Sequence, residues 1–236
     1  MEKNVELSVV VLAYMTEETL RIFVGQLLRE MEGLAVKFEI IVVANYDLLS
    51  DSTPQVAKEL SETDSRIRFI AQEKKGKMGW DMKTGLDSAK GNFLAVIDGD
   101  GQMPSSDIPV VYKIIAGGNF DLVKTFRLKR FDGFYRYLIS RVYNIMFGLL
   151  YRTDFASRDI NSKPKIFSRQ AYQKMQLISN DWFTDTEIML EANRLKLRIC
   201  EVATVFYKNE RRSSFIRPGT IFEFMRNLIQ YRSKYK

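Results

Sequence analysis

The run Phe93-Leu-Ala-Val-Ile-Asp98-Gly-Asp100-Gly-Gln102 places two carboxylates and an amide, two residues apart, at the end of an apolar segment. Side chains spaced by two on an extended chain project to one side. Asp98, Asp100 and Gln102 could therefore offer three oxygen atoms to a single ligand. Hard divalent cations such as Mg2+ and Mn2+ take ligands of this kind. In open α/β sheets, the carboxyl ends of the strands are where ligands bind. The competing reading is a plain loop, because Asp-Gly is also a strong turn signal.

The elements that must hold this triplet are legible in the first 126 residues. Apolar strand-like runs at 6–12, 38–44, 67–71, 93–97 and 121–126 alternate with segments of helical periodicity at 17–31, 54–60, 78–89 and 105–116. This alternation predicts a mainly parallel central sheet with helices on both faces. Buried parallel strands are apolar throughout, as Val9-Val-Val-Leu12 and Ile40-Ile-Val-Val43 are. Ser52 or Thr53 is the expected cap of the second helix. Beyond Phe126 the pattern predicts helices at 134–150, 185–195 and 220–235, and strands at 165–167 and 199–207. The final helix is amphipathic. No repeat, low-complexity tract or clear linker divides the chain, so a single domain over 1–236 is expected.

Composition narrows the chemistry. The 236 residues contain no histidine, which removes histidine bases, Ser-His-Asp triads and His-based zinc sites. Acid–base work would fall to Asp, Glu, Lys or Tyr. A lone cysteine, Cys200, permits no internal disulfide and fits a reducing compartment. There is no apolar run of membrane-spanning length and no signal-peptide pattern, so the expected location is the cytoplasm. The net charge of +7 is unevenly spread. Residues 1–126 carry 14 Lys+Arg against 19 Asp+Glu, a net of −5, and residues 127–236 carry 22 against 10, a net of +12. A basic half suits a polyanionic partner, although for a charge surplus alone a solvated basic face is the more ordinary origin.

Several blocks taken in order resemble glycosyltransferase family 2, the inverting GT-A class, and within it the polyprenyl-phosphate sugar synthases of the dolichyl-phosphate mannose synthase type. The likeness runs from about Val9 to Phe215. Leu12-Ala-Tyr14-Met-Thr-Glu17 stands where the family has Pro-x-Tyr-Asn-Glu. Ala44-Asn45-Tyr-Asp47 and Asp51-Ser-Thr53 replace Asp-Asp-Gly-Ser-x-Asp-x-Thr. Gly76-Lys77-Met-Gly79 and Lys83-Thr-Gly85 lead toward Asp98-Gly-Asp100-Gly-Gln102, the counterpart of the family's Asp-x-Asp-x-Gln. The resemblance implies that Asp98, Asp100 and Gln102 hold Mg2+ or Mn2+ against a sugar-nucleotide diphosphate. It also implies that Leu12, Tyr14, Glu17, Asn45, Lys77 and Asp98 contact the UDP-, GDP- or dTDP-sugar. Arg127, the Arg136-Tyr-Leu-Ile-Ser140 segment and Arg212 in Arg211-Arg212-Ser-Ser214 would meet an acceptor phosphate. Asp159-Ile-Asn161-Ser-Lys163 matches Asp-x-x-Ser/Asn-Gly with the glycine lost.

The resemblance thus implies a nucleotide-binding half (1–126), an acceptor half (127–217) and an amphipathic end (218–236). The expected reaction is metal-dependent, inverting sugar transfer to a polyprenyl (dolichyl or undecaprenyl) phosphate. A hydroxyl acceptor in polysaccharide, lipopolysaccharide or glycolipid synthesis is the alternative, with Asp185 as base; a helix-start acid beside a Thr184 cap is that residue's ordinary reading. The 134–150 and 220–236 segments mix aromatics, aliphatics and Arg/Lys as interfacial helices do. They suggest peripheral attachment at the cytoplasmic face of a membrane, a membrane partner subunit, or packing in a homo-oligomer. A non-catalytic nucleotide- or nucleic-acid-binding protein is the reading from another class, but no nucleic-acid-binding motif accompanies the charge. A degenerate transferase serving as a partner subunit is a third.

Overall fold

A computed structural model describes residues 5–151, 153, 157–209 and 218–233. Its strands are β1 (Leu7–Leu12), β2 (Phe38–Val43), β3 (Ile67–Ile70), β4 (Phe93–Asp98), β5 (Leu122–Arg130), β6 (Lys165–Ser168) and β7 (Ile199–Phe206). They form one sheet in the order β3-β2-β1-β4-β6-β5-β7. Four of its pairings are parallel, and β6 runs against both of its neighbours.

The continuous apolar runs are explained by helices on both faces. Val9, Val11, Ile40, Val42, Ala95 and Ile97 pack in one layer with α1 (Glu18–Glu32), α2 (Thr53–Thr63) and α4 (Asp107–Ala116). The alternate residues Val10, Leu12, Ile41, Val43, Leu94 and Val96 pack in the other, with α3 (Met78–Ser88), α5 (Phe134–Leu150) and α7 (Thr184–Arg194). Each strand residue thus has an apolar neighbour layer whichever way it points. Leu228 of α8 (Pro218–Gln230) closes the second layer, where Tyr151 Oη donates to its carbonyl at 2.6 Å.

Local differences from the sequence expectation have clear causes. A short helix, α6 (Arg169–Lys174), follows β6 and is capped by Ser168, whose hydroxyl accepts from Ala171 N. Neither Ser52 nor Thr53 caps α2. Thr53 Oγ1 instead accepts from the amides of Thr16 and Glu17, tying the β1–α1 turn to α2. Thr184 does not cap α7 either, because its hydroxyl donates to Ser179 O, and Asp181 Oδ1 accepts from Phe183 N. Residues Thr184 to Ala192 of α7 are all buried. Its acids Glu187 and Glu191 accept backbone amides of Ile178, Ser179 and Gln176, which accounts for carboxylates inside the protein.

Candidate active site

The sheet's functional end opens into a cleft of about 700 Å³. β4 delivers Asp98 to its floor, and the next four residues form a tight turn. Gly101 has φ +73°, a left-handed conformation suited to glycine. Asp100 Oδ1 accepts from Gln102 N at 3.1 Å. The turn reading and the ligand reading of this motif therefore coexist: the turn aims the carboxylates. Asp98, Asp100 and Gln102 all line the cleft. Gln102 Nε2 donates to Tyr207 O at 2.9 Å, so a ligand role would fall to its Oε1.

The chemistry of this end fits a divalent cation. Burial raises the Asp98 pKa, and the neighbouring charges of Asp100 and Asp185 add to the rise against the pull of Lys163. Such crowding of carboxylates is relieved by a positive ion. Among the described residues, no three His, Cys, Asp or Glu side chains make a complete cage. A cation shared with a substrate phosphate needs only one or two protein carboxylates.

Leu12 and Tyr14 also line the cleft, beside Thr16, Asp47, Lys74 and Asp81. Tyr14 Oη donates to Asp47 Oδ1 at 2.8 Å, and Lys74 Nζ sits 4.5 Å over the Tyr14 ring. Burial and Asp47 push the Tyr14 phenol up to about 12. Asn45 is placed differently from the expectation. It is buried, outside the cleft lining, with Nδ2 donating to Asp81 Oδ1 at 2.9 Å and Oδ1 accepting from Gln72 N at 3.0 Å. Asp81, the carboxylate that Asn45 holds, lines the cleft and is ion-paired with Lys74. Glu17 is exposed and also outside the lining, because the turn fixed by Thr53 faces Thr16 inward. Lys77 lines the cleft, and its Nζ contacts Glu223 of α8 at 2.7 Å. The start of α3 is docked on protein: Lys77 N donates to Asn180 O and Gly79 N to Asp181 O. A Cβ on Gly79 would fall 2.5 Å from Asp181 O, so this close approach requires glycine.

The opposite end is cationic. A register shift in β5 between Arg127 and Lys129 marks the point where the strand meets the cleft. Arg127 grips Asp159 bidentately, at 2.6 and 2.7 Å, and its Nη2 lies 3.4 Å from Ser140 Oγ. Arg130 pairs with Asp132 at 2.7 Å, and Arg136 Nε lies 3.2 Å from the same carboxylate as a buried donor with no hydrogen bond. The three guanidiniums surround the Phe206 ring at 5.1, 5.6 and 5.7 Å. Burial, then the charges of Arg130 and Arg127, lower the Arg136 pKa against the pull of Asp132. An anion entering here would offset that repulsion. Arg212 lies outside the described residues.

The Arg127–Asp159 pair has a measurable signature. Burial alone would raise the Asp159 carboxyl, but Arg127, aided by Lys124, outweighs it and holds the group at about 2. A carboxylate depressed in the folded state contributes stability above its unfolded pKa and loses it as pH falls through the folded value. The pair should contribute about 2 kcal/mol above pH 4, lost progressively toward pH 2. Urea unfolding of wild type and Asp159→Asn across that window should show the stability difference shrinking by this amount. A constant difference would disprove the assignment.

Between the two ends lies Asp185, fully enclosed. Its Oδ1 is 2.5 Å from Lys165 Nζ, and its Oδ2 is 3.0 Å from Lys163 Nζ. Burial would raise this carboxyl, but the two ammoniums outweigh it and hold its pKa below the ordinary range. Lys165 is the weaker partner: burial, and then Lys163 and Lys124, push it down to about 8 against Asp185. These lysines, together with Lys74, Asp81, Arg130 and Asp132, were missed by sequence reasoning. The one available signal was the alternate-residue spacing of Lys163-Pro-Lys165, which puts both ammoniums on one side of an extended segment.

Residues 8–179 match the profile described as "Glycosyl transferase family 2". The chain belongs to glycosyltransferase family 2. It is similar to glycosyltransferase AglD of Haloferax volcanii, with 29% identity over 84% of this chain and 32% of the relative. It is also similar to undecaprenyl-phosphate 4-deoxy-4-formamido-L-arabinose transferase of Pectobacterium carotovorum, with 30% identity over 61% of this chain and 43% of the relative. The chain thus spans less than half the length of these curated relatives. Among solved structures, glucosyl-3-phosphoglycerate synthase from Mycobacterium tuberculosis in complex with UDP superposes with a TM-score of 0.69. Its identity is 17%, covering 97% of this chain and 80% of that one. TarS 1-349 of S. aureus in complex with UDP-GlcNAc gives 0.63 at 18% identity, covering 94% and 65%. These likenesses establish the expected GT-A type of α/β fold.

Proposed function

We propose that this glycosyltransferase moves a sugar from a nucleotide-sugar to the phosphate of a polyprenyl lipid, with inversion at the anomeric carbon. The observation that carries the reading is a single cleft with Asp98 and Asp100 at one end and Arg127, Arg130 and Arg136 gathered on Phe206 at the other. In one displacement, an acceptor phosphate oxygen attacks the anomeric carbon, and the bond to the nucleoside diphosphate breaks on the opposite side. A Mg2+ or Mn2+ ion held by Asp98, Asp100 and Gln102 would supply Lewis-acid stabilisation of the departing diphosphate. A Mycobacterium tuberculosis structure of this fold in complex with Mn2+ and UDP supports that choice. Tyr14, Thr16 and Asp47 border the nucleotide end, and Asp81–Lys74 takes the position expected for Asn45. The arginines orient the acceptor phosphate by charge-assisted hydrogen bonds.

The state of Asp185 favours phosphate over hydroxyl. A lipid phosphate is already anionic and needs no base. A hydroxyl needs a carboxylate with proton affinity to spare, and Lys163 and Lys165 take that affinity from Asp185.

Peripheral docking on the cytoplasmic face of a membrane accompanies this reading. No described helix is long and apolar enough to cross a bilayer. α5 instead lines the cleft with Arg136, Ile139 and Ser140, while Phe134, Leu138, Ile145 and Leu149 on another face are exposed. An apolar face beside an anion-binding cleft suits an acceptor whose head is phosphate and whose tail is in lipid.

The test offers UDP-, GDP- and dTDP-sugars with Mn2+ to the protein on anionic vesicles containing undecaprenyl phosphate or undecaprenol. The expected result is sedimentation with the vesicles and transfer only to the phosphate. Transfer to undecaprenol or to a glycan hydroxyl, with none to the phosphate, would overturn the proposal.

A further inference from the structure

β6 runs antiparallel to β4 with Val96 opposite Lys165. Continued by two residues, this register sets Lys163 beside Asp98, the last residue of β4. The side chains follow: Lys163 Nζ lies 3.4 Å from Asp98 Oδ2 and 3.0 Å from Asp185 Oδ2, and only 5% of its side chain is exposed. Its backbone is fixed as well, since Thr125 Oγ1 donates to Lys163 O at 2.6 Å.

We propose that Lys163 is a built-in counter-ion of the donor carboxylate, competing with the divalent cation for Asp98 and so making cation binding depend on the nucleotide. The inference rests on the metal–diphosphate reading above. Asp98, Asp100 and Asp185 contribute three negative charges at the cleft floor, and Lys163 and Lys165 contribute two positive ones. One net negative charge is left to attract a divalent ion. An ammonium and a cation on one carboxylate repel each other strongly where water is scarce. A nucleoside diphosphate arriving with the ion brings the charge that offsets Lys163. The closer contact with Asp185 gives Lys163 a partner to keep when it releases Asp98. Lys163 is thus a positioning residue, acting through Asp98.

The experiment titrates Mn2+ by electron paramagnetic resonance into wild type, Lys163→Met, Lys163→Gln and Lys163→Arg, each alone and with saturating UDP or GDP. Removing the charge should tighten binding of Mn2+ alone by about tenfold or more, since one charge is lost a few ångströms from the ion. It should also shrink the gain that the nucleotide gives. Lys163→Arg should stay with wild type. Lys163→Gln preserves a hydrogen-bond donor toward Asp185, and Lys165 still neutralises that carboxylate, so a folded charge-free variant is available for the comparison. A merely structural lysine would weaken Mn2+ binding or leave it unchanged when removed. Either outcome in folded Met and Gln variants overturns the proposal. If wild type binds Mn2+ neither alone nor with either nucleotide, the metal–diphosphate reading fails, and this inference fails with it.

Discussion

Asp100→Ala should lower sugar transfer by about a thousandfold while lowering the melting temperature by only a few degrees. Loss of one preorganised electrostatic contact to a developing charge costs about 100- to 1,000-fold, and the charge on a departing diphosphate is concentrated. Asp100 sits in the turn after β4, where its Oδ1 accepts from Gln102 N. Losing that bond costs about 1 kcal/mol. Activity and stability should therefore separate at this position, in an assay of transferred sugar beside a thermal melt. Near-wild-type turnover would remove Asp100 from the donor site. Asp98 cannot give so clean an answer, because its replacement also deprives Lys163 of a partner.

The second large effect is on stability. Asp185→Ala should melt about 10 °C lower than wild type. Breaking a buried ion pair by removing one partner costs about 3–5 kcal/mol, and a chain of this size loses about 2–4 °C per kcal/mol. Here one carboxylate serves two enclosed ammoniums; without it Lys165 keeps the Ser162 carbonyl and Lys163 the longer 3.4 Å contact to Asp98, so both lose their main counter-charge together. Adding Lys165→Met to the alanine variant removes one stranded charge and should recover part of the loss. This pattern distinguishes a structural clamp from a catalytic base. If Asp185→Asn kept full stability while losing all transfer, the clamp would be wrong and the hydroxyl-acceptor reading would return.

The sequence showed most of the scaffold because buried parallel strands and amphipathic helices write their surroundings into local pattern. β1, β2 and β4 are apolar without a break because each faces two layers. α6 escaped notice because it is one short polar turn-and-a-half fixed by Ser168. The site was legible where its residues are neighbours in sequence, as in Asp98-Gly-Asp100. It was not legible where charges meet across the fold. Arg127 and Asp159 are 32 positions apart, and Lys165 and Asp185 are 20 apart. Nothing local tells a lysine bound for the interior from one bound for water. The basic surplus after Phe126 therefore overstated the cationic surface, since Lys163 and Lys165 are enclosed and Arg127 is paired within the cleft wall. Asn45 was misplaced for a related reason. Its neighbour in space, Asp81, lies a helix away and took over the cleft-facing position.

The reversed strand β6 also limits how this chain can be taken apart. It lies between β4, which ends in Asp98, and β5, which leads into the arginine cluster. A chain cut after Phe126 would bare the hydrogen-bonding edge of β4, sever β5 and leave its first half with no partner, an invitation to aggregate. Donor and acceptor specificities consequently cannot be swapped between relatives at the boundary where the charge changes sign. A working chimera would have to carry the β4–β6 seam as one piece, with Asp98, Lys163 and Asp185 inherited together.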